Sequence, residues 1–315
     1  MPDFGDFLEA KFALDERSLA RDVRGEWLAA MLPRDALRCL DIGTGTGAMV
    51  RRLLDAVPGA SSIEVVALDR DSEMLARARA SMRAHLSRRG FEQHDDADGI
   101  EAHDARRRVR LRFACADILQ HEPHPGDRYD LVTAHAFMDL VPMRPLLERI
   151  AGWLSPGGLF YATLNYDGET VLLPPHADAA FEEGLLARYD ASMEERRIDG
   201  SPTGGARSGR RLHALLDEAG FEILACASSD WNAVPHRGRL RDGDAAVLSV
   251  LLDAVRRECE PHVDRARLAA WYDDRRALLA AGRLGAIVHQ LDLLSVAPSR
   301  RADALPGTPG LTAFT

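Results

Sequence analysis

The sequence predicts an α/β protein built on a doubly wound, mainly parallel sheet of seven strands. Short apolar runs alternate regularly with stretches of helical period, the pattern of a parallel sheet covered by helices on both faces. The first such run leads straight into a glycine-rich turn, "CLDIGTGTGAMV" (39–50). Acids then stand at the ends of successive strands: Asp41, Asp69 and Asp117.

The elements follow in order. Phe4, Leu8 and Phe12 recur at helical spacing, and Leu19, Val23, Trp27 and Met31 continue on one face. They predict a helical cap over residues 1–33, closed by Pro33. The core is read over 34–166. Its strands are "LRCLDI" (37–42), "SIEVVALD" (62–69), "RVRLRFACAD" (108–117), "RYDLVTAHAF" (128–137) and "LFYATLN" (159–165). Helices are expected at 46–57, at 71–89 with Asp71 or Ser72 as N-cap, and at 144–154. The charged stretch "FEQHDDADGIEAHDARR" (91–107) has no periodicity and reads as a mobile surface insertion. The arginines of 106–112 read as the solvent side of a charged sheet edge.

Beyond the core, residues 167–208 form an insertion or lid, with a helix near 177–196 and the loop "DGSPTGGARSG". Residues 209–298 complete the core with a helix, a sixth strand "FEILACASSDW" (221–231) and a seventh "GAIVHQLDLLSVA" (285–297), read as antiparallel. A helical insertion, 243–282, lies between those two strands. The tail, 299–315, has no packing pattern and is expected to be flexible.

Composition narrows the function. The 315 residues carry a net charge of -9, with 46 % hydrophobic and 28 % charged residues. This is a globular composition, and its acidity argues against nucleic acid as the partner. The four cysteines, Cys39, Cys115, Cys226 and Cys259, form no CxxC pair, and three fall in runs read as buried strands. Neither a disulfide nor a metal site is expected. No apolar run approaches the roughly 20 residues a membrane span needs, and "MPDFGDFLEAKF" lacks signal-peptide character. A cytoplasmic protein with no membrane partner is expected.

A glycine turn between a buried strand and a helix lets a ligand lie against bare backbone at a helix N-terminus. Gly43, Gly45 and Gly47 therefore suggest a nucleoside or nucleotide site. The same run also satisfies G-x-G-x-x-G/A if Ala48 takes the last place, which leaves a NAD-dependent oxidoreductase open. Acids at neighbouring strand ends suit a ligand with hydroxyls, an amino group and an adenine but no phosphates.

These segments together resemble the class I S-adenosylmethionine-dependent methyltransferases. "LDIGTGTGA" is similar to their motif I, "VVALDRD" to the segment with the ribose-binding acid, "ACADIL" to the adenine-contacting segment and "YDLVTAHAF" to motif IV. "LERIAGWLSPGGLFYATL" and "LLDEAGFEIL" extend the likeness. The resemblance implies a Rossmann-like methyltransferase fold and S-adenosyl-L-methionine as cofactor. It implies that Gly43, Gly45 and Gly47 admit the methionine moiety and that Asp41 accepts from its ammonium. Asp69, followed by Arg70, would hold the ribose; Asp117 and Ile118 would contact the adenine; His135 would flank the cofactor. Strand-end capping is the other reading of Asp69 and Asp117.

Motif IV lacks the Asn/Asp-Pro-Pro-Tyr/Phe signature, which favours an oxygen or carbon acceptor over nitrogen. His135 is the candidate base, against a cofactor-positioning or merely buried role. Asn165, Tyr166 and His176 are candidate substrate contacts, and Arg17 a candidate for the cofactor carboxylate. Phe12, Trp27, Phe181, Tyr189, Trp231, Trp271 and Tyr272 are candidate walls of a covered site. The expected function is methyl transfer to a small molecule by direct displacement. A non-catalytic sensor or scaffold that binds the same cofactor is the alternative, and the extra helices equally suit a homodimer.

Overall fold

The computed structural model describes residues 3–96, 98–123 and 127–298. The tail expected at 299–315 lies outside the described residues. Helices α1 (Phe4–Ser18) and α2 (Arg21–Met31) lead into β1 (Ala36–Ile42), α3 (Ala48–Ala56), β2 (Ser62–Asp69) and α4 (Ser72–Arg88). A hairpin, β3 (Glu92–Asp95) and β4 (Gly99–His103), precedes β5 (Arg108–Cys115) and β6 (Tyr129–His135). After a 3-10 turn, Met138–Leu140, come α5 (Met143–Trp153) and the long β7 (Leu154–Leu173). Then follow α6 (Ala179–Glu194), a small hairpin β8 (Arg197–Ile198) and β9 (Ser201–Pro202), α7 (Ser208–Glu218), β10 (Glu222–Ser228) and β11 (Trp231–Ala233). Finally α8 (Asp244–Cys259), α9 (Arg265–Ala280) and β12 (Gly285–Val296) close the described chain.

The main sheet runs β10-β12-β7-β6-β1-β2-β5-β4-β3, with β11 also on β12. β5, β2, β1, β6 and β7 are parallel. β12 lies antiparallel between β7 and β10. The seven predicted strands are all present, and the last has the predicted direction. Parallel neighbours place the C-terminal ends of β1, β2, β5 and β6 along one edge, where ligands of such sheets bind.

Two apolar layers sandwich this sheet. One joins Val23, Trp27 and Met31 of α2 to α3 and strand residues such as Val65 and Tyr161, and Trp27 stacks on Tyr161 at 5.1 Å. The other joins α5 and α7 to Leu40, Val132 and Phe160. A third cluster joins Leu14 of α1 to α6, α8 and α9.

The structure corrects four sequence expectations. The charged stretch 91–107 is not a free insertion; it supplies β3 and β4, which extend the sheet antiparallel to β5. Ile100 and Ala102 are buried while Glu101 faces out, and Glu101 sits opposite Arg110 in the ladder, paired at 3.3 Å. The pairing needs a glycine, because a Cβ at Gly99 would lie 1.8 Å from the Leu111 carbonyl oxygen. β5 is consequently not an edge, and its Arg112 instead pairs with Glu64 at 3.0 Å. Cys115 and Cys226 are exposed, while Cys39 and Cys259 are buried. Finally, α1 does not bury its Phe4 face: Phe4 is 61 % exposed, whereas Lys11, Leu14 and Asp15 are buried. The reason is position, since α1 lies over polar strand ends rather than over the apolar face of the sheet. Among the described residues no helix is long and apolar enough to cross a membrane.

Candidate active site at the strand ends

The turn after β1 is built from left-handed glycines. Gly43, Gly45 and Gly47 have φ of 64°, 53° and 83°, a region that costs an L-residue about 1–2 kcal/mol. Gly43 has a second constraint: a Cβ there would lie 2.2 Å from the Phe137 ring. Gly47 is the N-cap of α3, with no side-chain cap of its own, so the first N–H groups of α3 face the crevice. Two strand-end acids hold the turn. Asp41, 2 % exposed, accepts from Thr44 Oγ1 at 2.6 Å and Thr133 Oγ1 at 2.5 Å. Burial pushes its carboxyl up to about 6, against the two hydroxyl bonds and Arg52. Asp69 accepts from the N–H of Gly45 at 2.9 Å and of Asp71 at 3.0 Å. Arg70 is exposed beside it. Asp117 is exposed and accepts from the Leu119 N–H at 2.9 Å. Ile118 packs into the apolar layer with Leu68.

His135 ends β6 and is the centre of a buried polar chain. Its Nδ1 lies 2.7 Å from Thr163 Oγ1. Its Nε2 lies 3.2 Å from Asp15 Oδ2 and 3.2 Å from Arg52 Nη1. Asp15 in turn accepts from Lys11 Nζ at 2.7 Å and from the Trp231 indole at 3.0 Å, and Arg52 Nε donates to Glu16 at 2.9 Å. Burial, and next the charge of Arg52, push the His135 imidazole down to about 4 against the pull of Asp15. Burial pushes Asp15 upward, but Lys11 and His135 outweigh it and hold its carboxyl well below the usual carboxylate range. At neutral pH the imidazole is therefore neutral, set between the Asp15 carboxylate and the Arg52 guanidinium.

The candidates from sequence do not all meet here. The three glycines, Asp41, Asp69 and His135 line the ends of β1, β2 and β6, with Asp117 just past β5. Arg17 is elsewhere: its guanidinium is committed to the buried Asp244 at the start of α8. Asn165 is fully buried and donates to the Leu291 carbonyl of β12 at 2.9 Å, so the sheet takes its amide N–H, while its Oδ1 is buried without a partner. Tyr166 donates to Asp190 of α6 at 2.7 Å and lies 3.1 Å from Thr170 Oγ1, and burial pushes its hydroxyl well up. His176 joins Asp178 and, at 3.8 Å, Asp274 of α9. β7 continues to Leu173 past its predicted end and carries the chain to that outer surface.

Sequence reasoning missed Lys11, Asp15 and Arg52. The available signal was an i,i+4 ion pair on an otherwise apolar face of α1 and a second arginine in the amphipathic α3. Asp139, whose place in the sequence reads as a helix start, is half-buried in the 3-10 turn after β6, and burial pushes its carboxyl up to about 6 against Arg196 and Lys11. Of the candidate walls, Phe12 and Trp231 join the chain, Phe12 beneath the guanidinium groups of Arg51 and Arg52 at 4.2 and 4.9 Å. Trp27 and Trp271 are core residues.

Residues 40–160 match a family model described as a methyltransferase domain. A curated relative, trans-aconitate 2-methyltransferase of Streptomyces avermitilis, is 31 % identical over 141 residues, 43 % of this chain and 42 % of that protein. The match thus spans less than half the relative's length. Among solved structures, a candidate methyltransferase from Bacillus halodurans has the same fold, with a TM-score of 0.51 and 17 % identity over 89 % of this chain and 100 % of that one. The YcgJ protein of Bacillus subtilis gives a TM-score of 0.48 and 15 % identity over 89 % and 99 % of the two chains. Residues 40–160 are thus similar to a methyltransferase domain, and the fold is that of a solved chain described as a methyltransferase.

Proposed function

We propose that the protein binds S-adenosylmethionine at the C-terminal edge of its parallel strands and transfers the methyl group to a small organic acceptor, at oxygen or carbon. The observation that carries this reading is the set of three left-handed glycines between β1 and α3, held from below by Asp41 and from β2 by Asp69. The residues fit the group. The left-handed glycine turn, with Phe137 packed against Gly43 and Leu8 against Gly45, suits close approach of the methionine moiety to its backbone; Asp41 suits its ammonium, and Asp69 suits the ribose hydroxyls, exchanging its bond to Gly45 for them. Asp117, exposed at the end of the next strand, suits the adenine amino group.

The cofactor supplies a methyl group on a sulfonium, so the protein's part is positioning and exclusion of water, worth roughly 7–11 kcal/mol when well aligned. α1 provides that cover: Leu8 lies over the turn, 3.0 Å from where a Gly45 Cβ would be. His135 serves better as a positioning group than as a base, because both ring nitrogens are engaged and its proton affinity is low. If the acceptor must lose a proton, Asp139 has the better-matched affinity. A small acceptor is supported by the helical cover and by the relative named for trans-aconitate.

The test is calorimetry with S-adenosylmethionine, S-adenosylhomocysteine and NAD, followed by transfer of labelled methyl to a panel of small organic acids. Binding of NAD alone overturns the reading. Binding of the adenosyl ligands with no transfer to any acceptor leaves a sensor in place of an enzyme.

A further inference from the structure

We infer that Arg52 and Lys11 form a carboxylate-binding cradle inside the crevice, reading a carboxylate of the cofactor or of the acceptor. The inference rests on the methyltransferase reading above and goes on to assign a ligand group to these side chains.

Arg52 is 4 % exposed, yet its Nη2 has no hydrogen-bond partner. A buried guanidinium N–H without an acceptor destabilises the fold, and a ligand acceptor would relieve it. The rest of the guanidinium is fixed: Nε on Glu16 at 2.9 Å, Nη1 on His135 at 3.2 Å, and the plane over the Phe12 ring at 4.9 Å. Such a fork, held on two sides with one edge free, is preorganised for a planar carboxylate. Lys11 stands at the other end of the same chain. Its ammonium, 6 % exposed in the residue as a whole, donates to Asp15 alone and lies 5.5 Å from the centre of the Trp231 ring. Glu16 and Glu9, the carboxylates on Arg52 and Arg51, are 34 % and 45 % exposed, and Asp15 is the buried carboxylate on Lys11. Arg51 adds a further buried Nη2 with no partner. The wall formed by α1 and α3 therefore holds buried guanidinium donors that no protein group uses.

The test uses full-length protein and calorimetry in two arms. In the first, S-adenosylhomocysteine is compared with 5'-methylthioadenosine, which has the adenosine and the thioether but no carboxylate. In the second, trans-aconitate and simple di- and tricarboxylates are titrated into protein saturated with S-adenosylhomocysteine. Arg52→Gln is expected to weaken one carboxylate ligand by on the order of 10–100-fold and to leave 5'-methylthioadenosine unchanged. Loss in the first arm assigns the carboxylate to the cofactor, and loss in the second to the acceptor. Lys11→Met should weaken the same ligand, and Arg52→Lys should recover part of the loss. If Arg52→Gln also loses 5'-methylthioadenosine, the variant is misfolded, and Lys11→Met and Arg52→Lys decide by the same criteria. Wild-type affinity for every probe in the Arg52→Gln variant overturns the cradle alone. Wild-type protein that binds neither adenosyl probe overturns the methyltransferase reading, and the cradle with it.

Discussion

Asp41 provides a test in which stability and function move in opposite directions. Its carboxyl is 2 % exposed and its pKa is pushed from 3.8 up to about 6, chiefly by burial. A raised carboxyl pKa means that the folded state holds a proton which the unfolded chain has already released. The contribution to stability therefore falls as pH rises from about 4 through 6. With those two values the ionised side chain costs the fold about 3 kcal/mol at pH 8 and about 1 kcal/mol at pH 4.5. Asp41→Asn carries no charge at either pH. It also disturbs the bonds from Thr44 and Thr133, at about 1 kcal/mol, but that cost is the same at both pH values. The stability of the variant relative to wild type should thus rise by about 2 kcal/mol between pH 4.5 and pH 8, measured by urea unfolding. Binding of S-adenosylmethionine should weaken over the same range. A relative stability that is flat with pH, or that falls, refutes the assignment of a buried, destabilising carboxylate.

Four further outcomes are expected. Gly43→Ala forces an L-residue into φ of 64° against the Phe137 ring; it should lose roughly 2 kcal/mol of stability, and the double variant with Phe137→Ala should recover part of this in urea melts. Asp292→Ala removes the acceptor for the Ala20 and Leu164 N–H groups, at 2.9 and 2.7 Å, and should cost about 1–3 kcal/mol for each, with faster hydrogen exchange at both amides. Glu182→Ala strips the buried Arg275 of its bonds at 2.7 Å and the Trp271 indole of one at 2.9 Å; a loss of about 3–5 kcal/mol should appear as a large fall in Tm, and an unchanged Tm counts against that pair. Gly99→Ala should release the β3–β4 hairpin from β5, seen as faster exchange over 92–103 with cofactor affinity retained.

What was legible in the sequence is what depends on local chemistry. Strand β2 reads from "SIEVVALD" because a strand buried on both faces has few polar positions. The Asp71 cap reads because its carboxylate needs only the N–H groups of Glu73 and Met74. The glycine turn reads because few other functions need so much positive φ in so short a stretch. Failures occur where a distant partner decides. The one local hint of a hairpin at Glu92–His103 is Asp98-Gly99; its buried apolar residues are Ile100 and Ala102, and it extends the sheet by pairing with β5. Arg17 looked free to reach a ligand because its partner, Asp244, is 227 positions away. Asn165 looked poised at a strand end, but β12, which arrives last in the chain, takes its amide.

The same logic explains the unusual helices. A family core can place Asp41, Asp69 and His135 with its own strands, but half of the polar chain around His135 comes from α1. Lys11 and Asp15 lie one turn apart on that helix, and Asp15 reaches the sheet at His135 of β6 and at the Trp231 indole of β11. Its anchors are Leu14, in the cluster with α6, α8, α9 and the strand residues Leu172, Ala233 and Ala286, and Arg17 on Asp244. The insertion between β11 and β12 is therefore the support for α1, and α1 is the support for the site. Loosening α8 at Asp244→Asn should then lower affinity for a carboxylate ligand through α1, while 5'-methylthioadenosine binding holds. Equal loss for both ligands would mean that α1 serves only as a cover.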